Sequence, residues 1–361
     1  MLAVSDHPRR FEAANELHAR PFPSLKAPAE VAFFAMTRPP GGESGSGATL
    51  STLLDRFGAP HPARAASHHT APLGRFELKW ERHTEFDSYM LFSDPPRERP
   101  FDPALMAAFP REWAGALQGY AITAISIRVE TLEDEATVAD RLAHWFVPGT
   151  LACSRVLDDS AIAASDFTID SDRQVRIALF VRPGTGPRRV GRIVQRLTEI
   201  ETYKAMSMLG LLESRALTGD MEGLDSRLAG LVRGMSDDTG AAEGTLDGLL
   251  SVAADLERIN ADMAFRFGAT QAYAQLVDQR IDALREVRFE GRQTFAEFMT
   301  RRFDPAMRTV RATEARLEAM ADRARRAGEL LRTRVDVERS AQNQSLLSSM
   351  DERAGLQLRL Q

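Results

Sequence analysis

Apolar and polar positions follow two rhythms over the first half of the chain and only one over the second. "EVAFFAMT" (30–37) and "YAITAISIRVE" (120–130) are short runs rich in β-branched and aromatic residues, and each predicts a strand. "RFELKWERHTEFDSYMLFS" (75–93) is parted by polar "RHTE" and predicts two neighbouring strands. Two or three more fit between 151 and 182, ending with "VRIALFV". Helical spacing predicts three elements among them. The first starts at Asp6 as a cap, with Pro8 in the first turn, and runs to about His18. The second lies near 48–57, and the third is the amphipathic "TLEDEATVADRLAHWF" (131–146). "RPPGGESGSG" (38–47) predicts a flexible surface loop. This mixture predicts an α/β layer domain over 1–187, α/β or α+β in class.

From residue 188 to 361 the helical rhythm stands alone and predicts an all-helical domain. Breaks are expected near Thr218–Gly223, at 234–244 and at "RFEG" (288–291). Asp304–Pro305 reads as a cap and first-turn proline, and no proline follows. An unbroken last helix of about 56 residues would span roughly 84 Å at about 1.5 Å per residue. Val310, Leu317, Ala324 and Leu331 repeat every seven positions, with Met320, Ala327 and Val335 beside them. Glu338 and Gln342 then interrupt the stripe, which suits a multi-helix contact better than a two-stranded coil.

Charge sharpens this picture. The 361 residues carry a net charge of -5 at 43% hydrophobic and 27% charged composition, so nucleic acid is not an expected partner. Residues 220–262 hold ten acids and three arginines, whereas 301–334 hold ten arginines and five acids. The acidic segment can lie along the basic helix, or along a second copy of it; two solvated faces are the alternative. A single cysteine, Cys153, indicates a reducing compartment, and the first twenty residues hold no apolar signal core.

Candidate chemistry is sparse. Glu81, His83 and Glu85 alternate in "ERHTEF", and in a strand they would share one face suited to a divalent cation. A polar strip at a strand bend is the alternative. His18 and Arg20 in "NELHARPFP" join a helix end to a proline-locked extension, where capping and ion pairing compete with a functional role. Asp166 joins them as a possible functional cluster, and an enzyme or metal site around His18, His83 and Glu85 is one reading of the first half. "GTGPRRVGR" (184–192) sets arginines at a helix start, where an anion could bind, without either phosphate-loop spacing; it reads equally as a linker. No catalytic motif accompanies any of these.

"ELHARPFP", "WERHTEF", "GRIVQRLTEIETYKAM", "FRFGATQAYAQLVDQRI", "LREVRFEGRQTFAEFMTRRFDPAMRT" and "QNQSLLSSMDERAGLQLRLQ" together resemble a bacterial family of uncharacterised membrane-anchored proteins, a domain of unknown function. The resemblance covers nearly the whole chain and departs at 38–70 and at "SDFTIDSDRQ" (165–174), where the family shows a glycine-containing turn. It implies that the terminal helix runs on into an apolar region of two membrane helices, placing the chain on the cytoplasmic face of a bacterial inner membrane. The order of parts is similar to the cytoplasmic funnel of CorA-type divalent-cation channels. That similarity implies a homo-oligomer with a sensing, assembly or cation-transport role, and makes the acids of 220–262 candidate divalent-cation sensors.

Overall fold

A computed structural model describes residues 5–16, 21–38, 46–63, 66–235 and 242–359, with side chains through Met350. His18, Arg20 and most of the expected loop at 38–47 therefore lie outside the described residues. The chain forms two compact units, one of Met1–Met206 with Tyr273–Asp304, the other of Ser207–Ala272 with Pro305–Gln361. They interleave along the sequence, so 188–206 and 273–304, helical by composition, cluster with the sheet.

The first unit is built on nine strands: β1 (Ala29–Thr37), β2 (His68–Leu73), β3 (Phe76–Arg82), β4 (Phe86–Ser93), β5 (Tyr120–Thr131), β6 (Ala152–Val156), β7 (Ala161–Ile169), β8 (Val175–Val181) and β9 (Val287–Arg288). Their order is β2-β3-β4-β1-β5-β8-β7-β6-β9. Every pairing is antiparallel except β5 with β8, which run parallel and need a crossover between them. Helix α4 (Glu135–Trp145), capped by the Asp134 carboxylate accepting from Ala136 N–H at 3.2 Å, stands in that crossover. Among the shorter helices, α1 is Arg10–Glu16, α2 is Ser46–Phe57 and α3 is Arg111–Ala116.

The sheet is covered on both faces. Ala32, Phe34, Leu78, Trp80, Tyr89 and Leu91 meet α2 and α3 in one aromatic-rich core. Further along, Cys153, Ile162, Ala164, Ala178 and Phe180 meet Val138 and Leu142 of α4. The opposite face lies under α5 (Pro187–Ala216), whose Val190, Ile193, Val194 and Leu197 are buried. Double coverage explains why β1, β4 and β8 are buried nearly end to end.

The second unit holds the end of α5, α6 (Thr218–Gly234), the first part of α7 (Ala242–Leu284) and α9 (Asp304–Arg359); α8 (Phe295–Arg302) belongs to the first unit. The break expected at Thr218–Gly223 falls at Leu217, and Gly219 and Gly223 sit inside α6. The heptad stripe of α9 is buried from Val310 to Val335. Charge complementarity closes within the chain: Asp225 binds Arg316 at 3.3 Å and also Arg323, and Glu243 lies 2.5 Å from Arg339. Beyond Val335 every residue from 336 to 350 is exposed, Val337, Leu346, Leu347 and Met350 included. Among the described residues, no helix is long and apolar enough to cross a membrane.

Candidate functional site

Two charged regions of the first unit sit on the same helix, α5, about two turns apart. The inner one faces the sheet. In β3, Lys79 and Glu81 point to the α5 side, and their side chains are 3% and 9% exposed. Glu81 Oε1 lies 2.9 Å from Lys79 Nζ, without the alignment of a hydrogen bond. Lys79 Nζ donates to Gln195 Oε1 at 2.7 Å, and Gln195 Nε2 donates to Glu199 Oε1 at 2.8 Å. Glu199 Oε2 accepts from Arg280 of α7, which is 31% exposed and ends the chain of charges near the surface. A buried lysine and a buried carboxylate offset each other here, which is the condition for keeping either inside a protein.

His83 lies just past the end of β3 and is half-buried, with its ring stacked on Phe86 at 4.2 Å between centroids. Phe86 in turn meets Tyr203, which stacks on Tyr273. Glu81 and His83 line a common cavity with Ser88, Thr198, Glu199 and Thr202, and its volume is about 10 Å³. That is room for about one water molecule and for no organic substrate. The alternation expected through Glu85 fails because β3 stops at Arg82; Glu85 occupies the hairpin turn, where its carbonyl accepts from Arg38 N–H. Among the described residues no three His, Cys, Asp or Glu side chains are grouped so as to hold a metal ion. Of the acids proposed as cation sensors, Asp225 and Glu243 are engaged by arginines as above, Asp255 by Arg227 at 3.7 Å and Asp262 by Arg258 at 3.8 Å.

Asp166 has a structural position. Its side chain is fully buried, Oδ2 accepts from Val147 N–H at 3.0 Å and Oδ1 from Thr168 N–H at 3.1 Å. It fixes the irregular segment of β7 between Ser165 and Ile169. Cys153 is buried as well, and burial pushes its thiol up to about 12.

The outer region is open. A cleft of about 720 Å³ is lined by Arg188, Arg189 and Arg192 from the first turns of α5, by Arg285 beyond α7, and by Ser24, Leu157, Gly186 and Pro187. Asp158 is the carboxylate beside them, 3.0 Å from Arg189 and 2.8 Å from Arg285. Arg192 rests its guanidinium over Phe22, 5.2 Å from the ring centre. Arg196, one turn deeper, donates to Ala283 O at 2.7 Å. Burial, and after it the charges of Arg192 and Arg280, holds its guanidinium below the usual arginine range.

Local backbone builds this cleft. Leu157, Asp158 and Asp159 all have φ between 47° and 59°, a left-handed turn without glycine that joins β6 to β7. Segment 21–25 lies against the start of α5, with Leu25 N–H donating to Pro187 O at 3.1 Å. Gly191 permits the approach, since a Cβ there would stand 1.8 Å from Pro23 O. The motif "GTGPRRVGR" signalled the three α5 arginines; Arg285 and Asp158 come from remote chain positions and carried no signal.

The family model described as "Protein of unknown function (DUF3422)" matches residues 5–361. The chain belongs to the DUF3422 family. No curated protein and no solved structure matches it. The uncharacterised-domain part of the expected resemblance is thus established, and so is the mixed α/β class with a long C-terminal helix.

Proposed function

We propose that this DUF3422 chain is the non-membrane part of a membrane-anchored homo-oligomer on the cytoplasmic face of a bacterial inner membrane, analogous in plan to the CorA funnel. Assembly and sensing, not catalysis, are its role in this reading. One observation carries it: α9 continues for fifteen exposed residues, 336–350, beyond its last buried position, a length of about 22 Å at about 1.5 Å per residue, and it bears four large apolar side chains there. The stripe before Val335 is consumed within the chain, so a second copy would meet α9 beyond it. The absence of room for a substrate around Glu81 and His83 weighs against an enzyme at that place. Arginine pairing of Asp225, Glu243, Asp255 and Asp262 weighs against divalent-cation sensing at those acids, leaving assembly as the better-supported part of the CorA analogy.

Sedimentation velocity of the chain and of a Leu346→Asp, Leu347→Asp, Met350→Asp variant tests the assembly. An oligomer that becomes a folded monomer on substitution is expected; a monomeric parent chain overturns the reading. For the anchor, the protein expressed from its own gene should stay with carbonate-washed membranes, and release into the wash would remove that part.

A further inference from the structure

The open cleft at the start of α5 is not used by the assembly reading and stands apart from it. Its lining holds four guanidiniums, and beside them, among the described residues, stands one carboxylate, Asp158, which Arg189 and Arg285 already share. Arg188 has no acidic partner among the described residues, and Arg192 has only the Phe22 ring. An arginine cluster of this kind repels itself unless an anion joins it. We propose that the cleft binds a soluble small molecule bearing two or more linked phosphates.

The chemistry narrows the class. Guanidinium forks match phosphate oxygens two at a time. A phosphoryl group carries about −1.5 to −2 charges at neutral pH, so one such group leaves the cleft positive and two neutralise it. The volume, about 720 Å³, falls within the range of small-ligand sites, roughly 300–1,000 Å³, and leaves space beyond the phosphates for an organic portion against Leu157 and Ser24. Recognition rests on side chains: Pro187 has no N–H, and the N–H groups of Arg189 and Val190 already donate to Gly186 O. The α5 dipole adds a favourable field without supplying the contacts. Asp158 holds two of the arginines in place in the unliganded cleft and would repel an anionic ligand least where Arg188 and Arg192 stand, so those two make the first contacts.

Isothermal titration of the full chain with sodium pyrophosphate, at constant ionic strength, tests this. Saturable binding is expected for the parent chain and for Arg308→Ala, an exposed arginine of α9 outside the cleft. Arg188→Gln and Arg192→Gln should each weaken it about tenfold, the loss of one charge-assisted contact. Both side chains are exposed, so folding is retained, and circular dichroism verifies it. No heat with pyrophosphate beyond that of matched sodium chloride overturns the site, and so does equal binding by the arginine variants. Phosphatidylglycerol vesicles that retain the parent chain but not the variants, without pyrophosphate binding in solution, would assign the cleft to a lipid headgroup and overturn the soluble ligand.

Discussion

The two charged regions of α5 differ in one respect that decides what each can do. In the layer beneath the sheet, Lys79, Glu81, Gln195, Glu199 and Arg280 alternate in sign or polarity and leave a void for about one water. In the cleft, guanidiniums of one sign face solvent with one acid among the described residues, Asp158, between two of them. A closed, balanced layer contributes to stability and has no capacity left for a ligand. An open, unbalanced one contributes little to stability and holds that capacity. The same helix supplies both because its first turns project past the β6–β7 turn while the next turns are roofed by β3 and β4.

The largest effect should follow from breaking the balance inside. Lys79→Met leaves Glu81 buried without its cation, which costs about 3–5 kcal/mol by analogy with other broken buried pairs. Urea unfolding measures it, and adding Glu81→Leu should restore most of the loss, since an apolar pair needs no compensation. A loss below about 1 kcal/mol would mean that the layer is hydrated and the contrast with the cleft is false.

Next comes the strap that joins the cleft to the helix. Gly191→Ala places a methyl group against Pro23 O and must displace segment 21–25 or the first turn of α5. Overpacking of this kind costs about 1–3 kcal/mol. The thermal midpoint should fall, and limited chymotryptic cleavage at the already exposed Phe22 should become faster than in the parent chain. An unchanged midpoint would show that 21–25 is not fixed to the helix.

A third network lies between these extremes in exposure. Glu135 is held at about 2 by hydrogen bonds to Arg155 first and then Arg182, with burial opposing. Its folded-state value is depressed, so its contribution is fully present above the ordinary carboxylate value of 4.5 and is lost as pH falls from there toward about 2. Glu135→Gln should flatten the dependence of the thermal midpoint on pH within that window and leave its slope above pH 5 unchanged. Parallel curves for parent and variant between 4.5 and 2 would show that the pair is too screened to matter.

Much of this frame was legible from residue order. Strands β1, β4, β5 and β8 declared themselves through Val, Ile, Phe and Tyr in runs of strand length, and α9 through the Asp304–Pro305 start with no later proline. β2 was hidden by Pro72 and two histidines, which an edge strand tolerates and a central one does not. β9 has two residues and exists through pairing with β6, a contact no local pattern encodes. At the candidate sites, "ERHTEF" marked a polar stretch whose Glu81 and His83 line one small cavity, while β3 ends at Arg82 and Glu85 falls in the turn. Strand alternation within β3 sets Lys79 on the same face as Glu81, and the two lie 2.9 Å apart. Within 165–174, Arg173 takes φ 62°, a conformation glycine adopts without strain. Sheet order was not legible, so the meeting of Arg285 and Asp158 with the α5 arginines was not either.

The smallest expected effect is the most exacting test of the comparison. Arg188→Gln and Arg192→Gln together should leave stability within about 0.5 kcal/mol of the parent, because neither side chain is buried and neither has an acidic partner among the described residues. Relief of repulsion with Arg189 and Arg196 could tip the sign toward slight stabilisation, and added salt would reduce that gain by screening the parent chain. Urea unfolding at two salt concentrations separates these terms. A loss of 2 kcal/mol or more would mean that these arginines hold structure, as Lys79 does, and that the cleft is a second balanced layer. A null effect, in the variants whose pyrophosphate binding is expected to fall, would locate the function of these charges outside the folding of the chain.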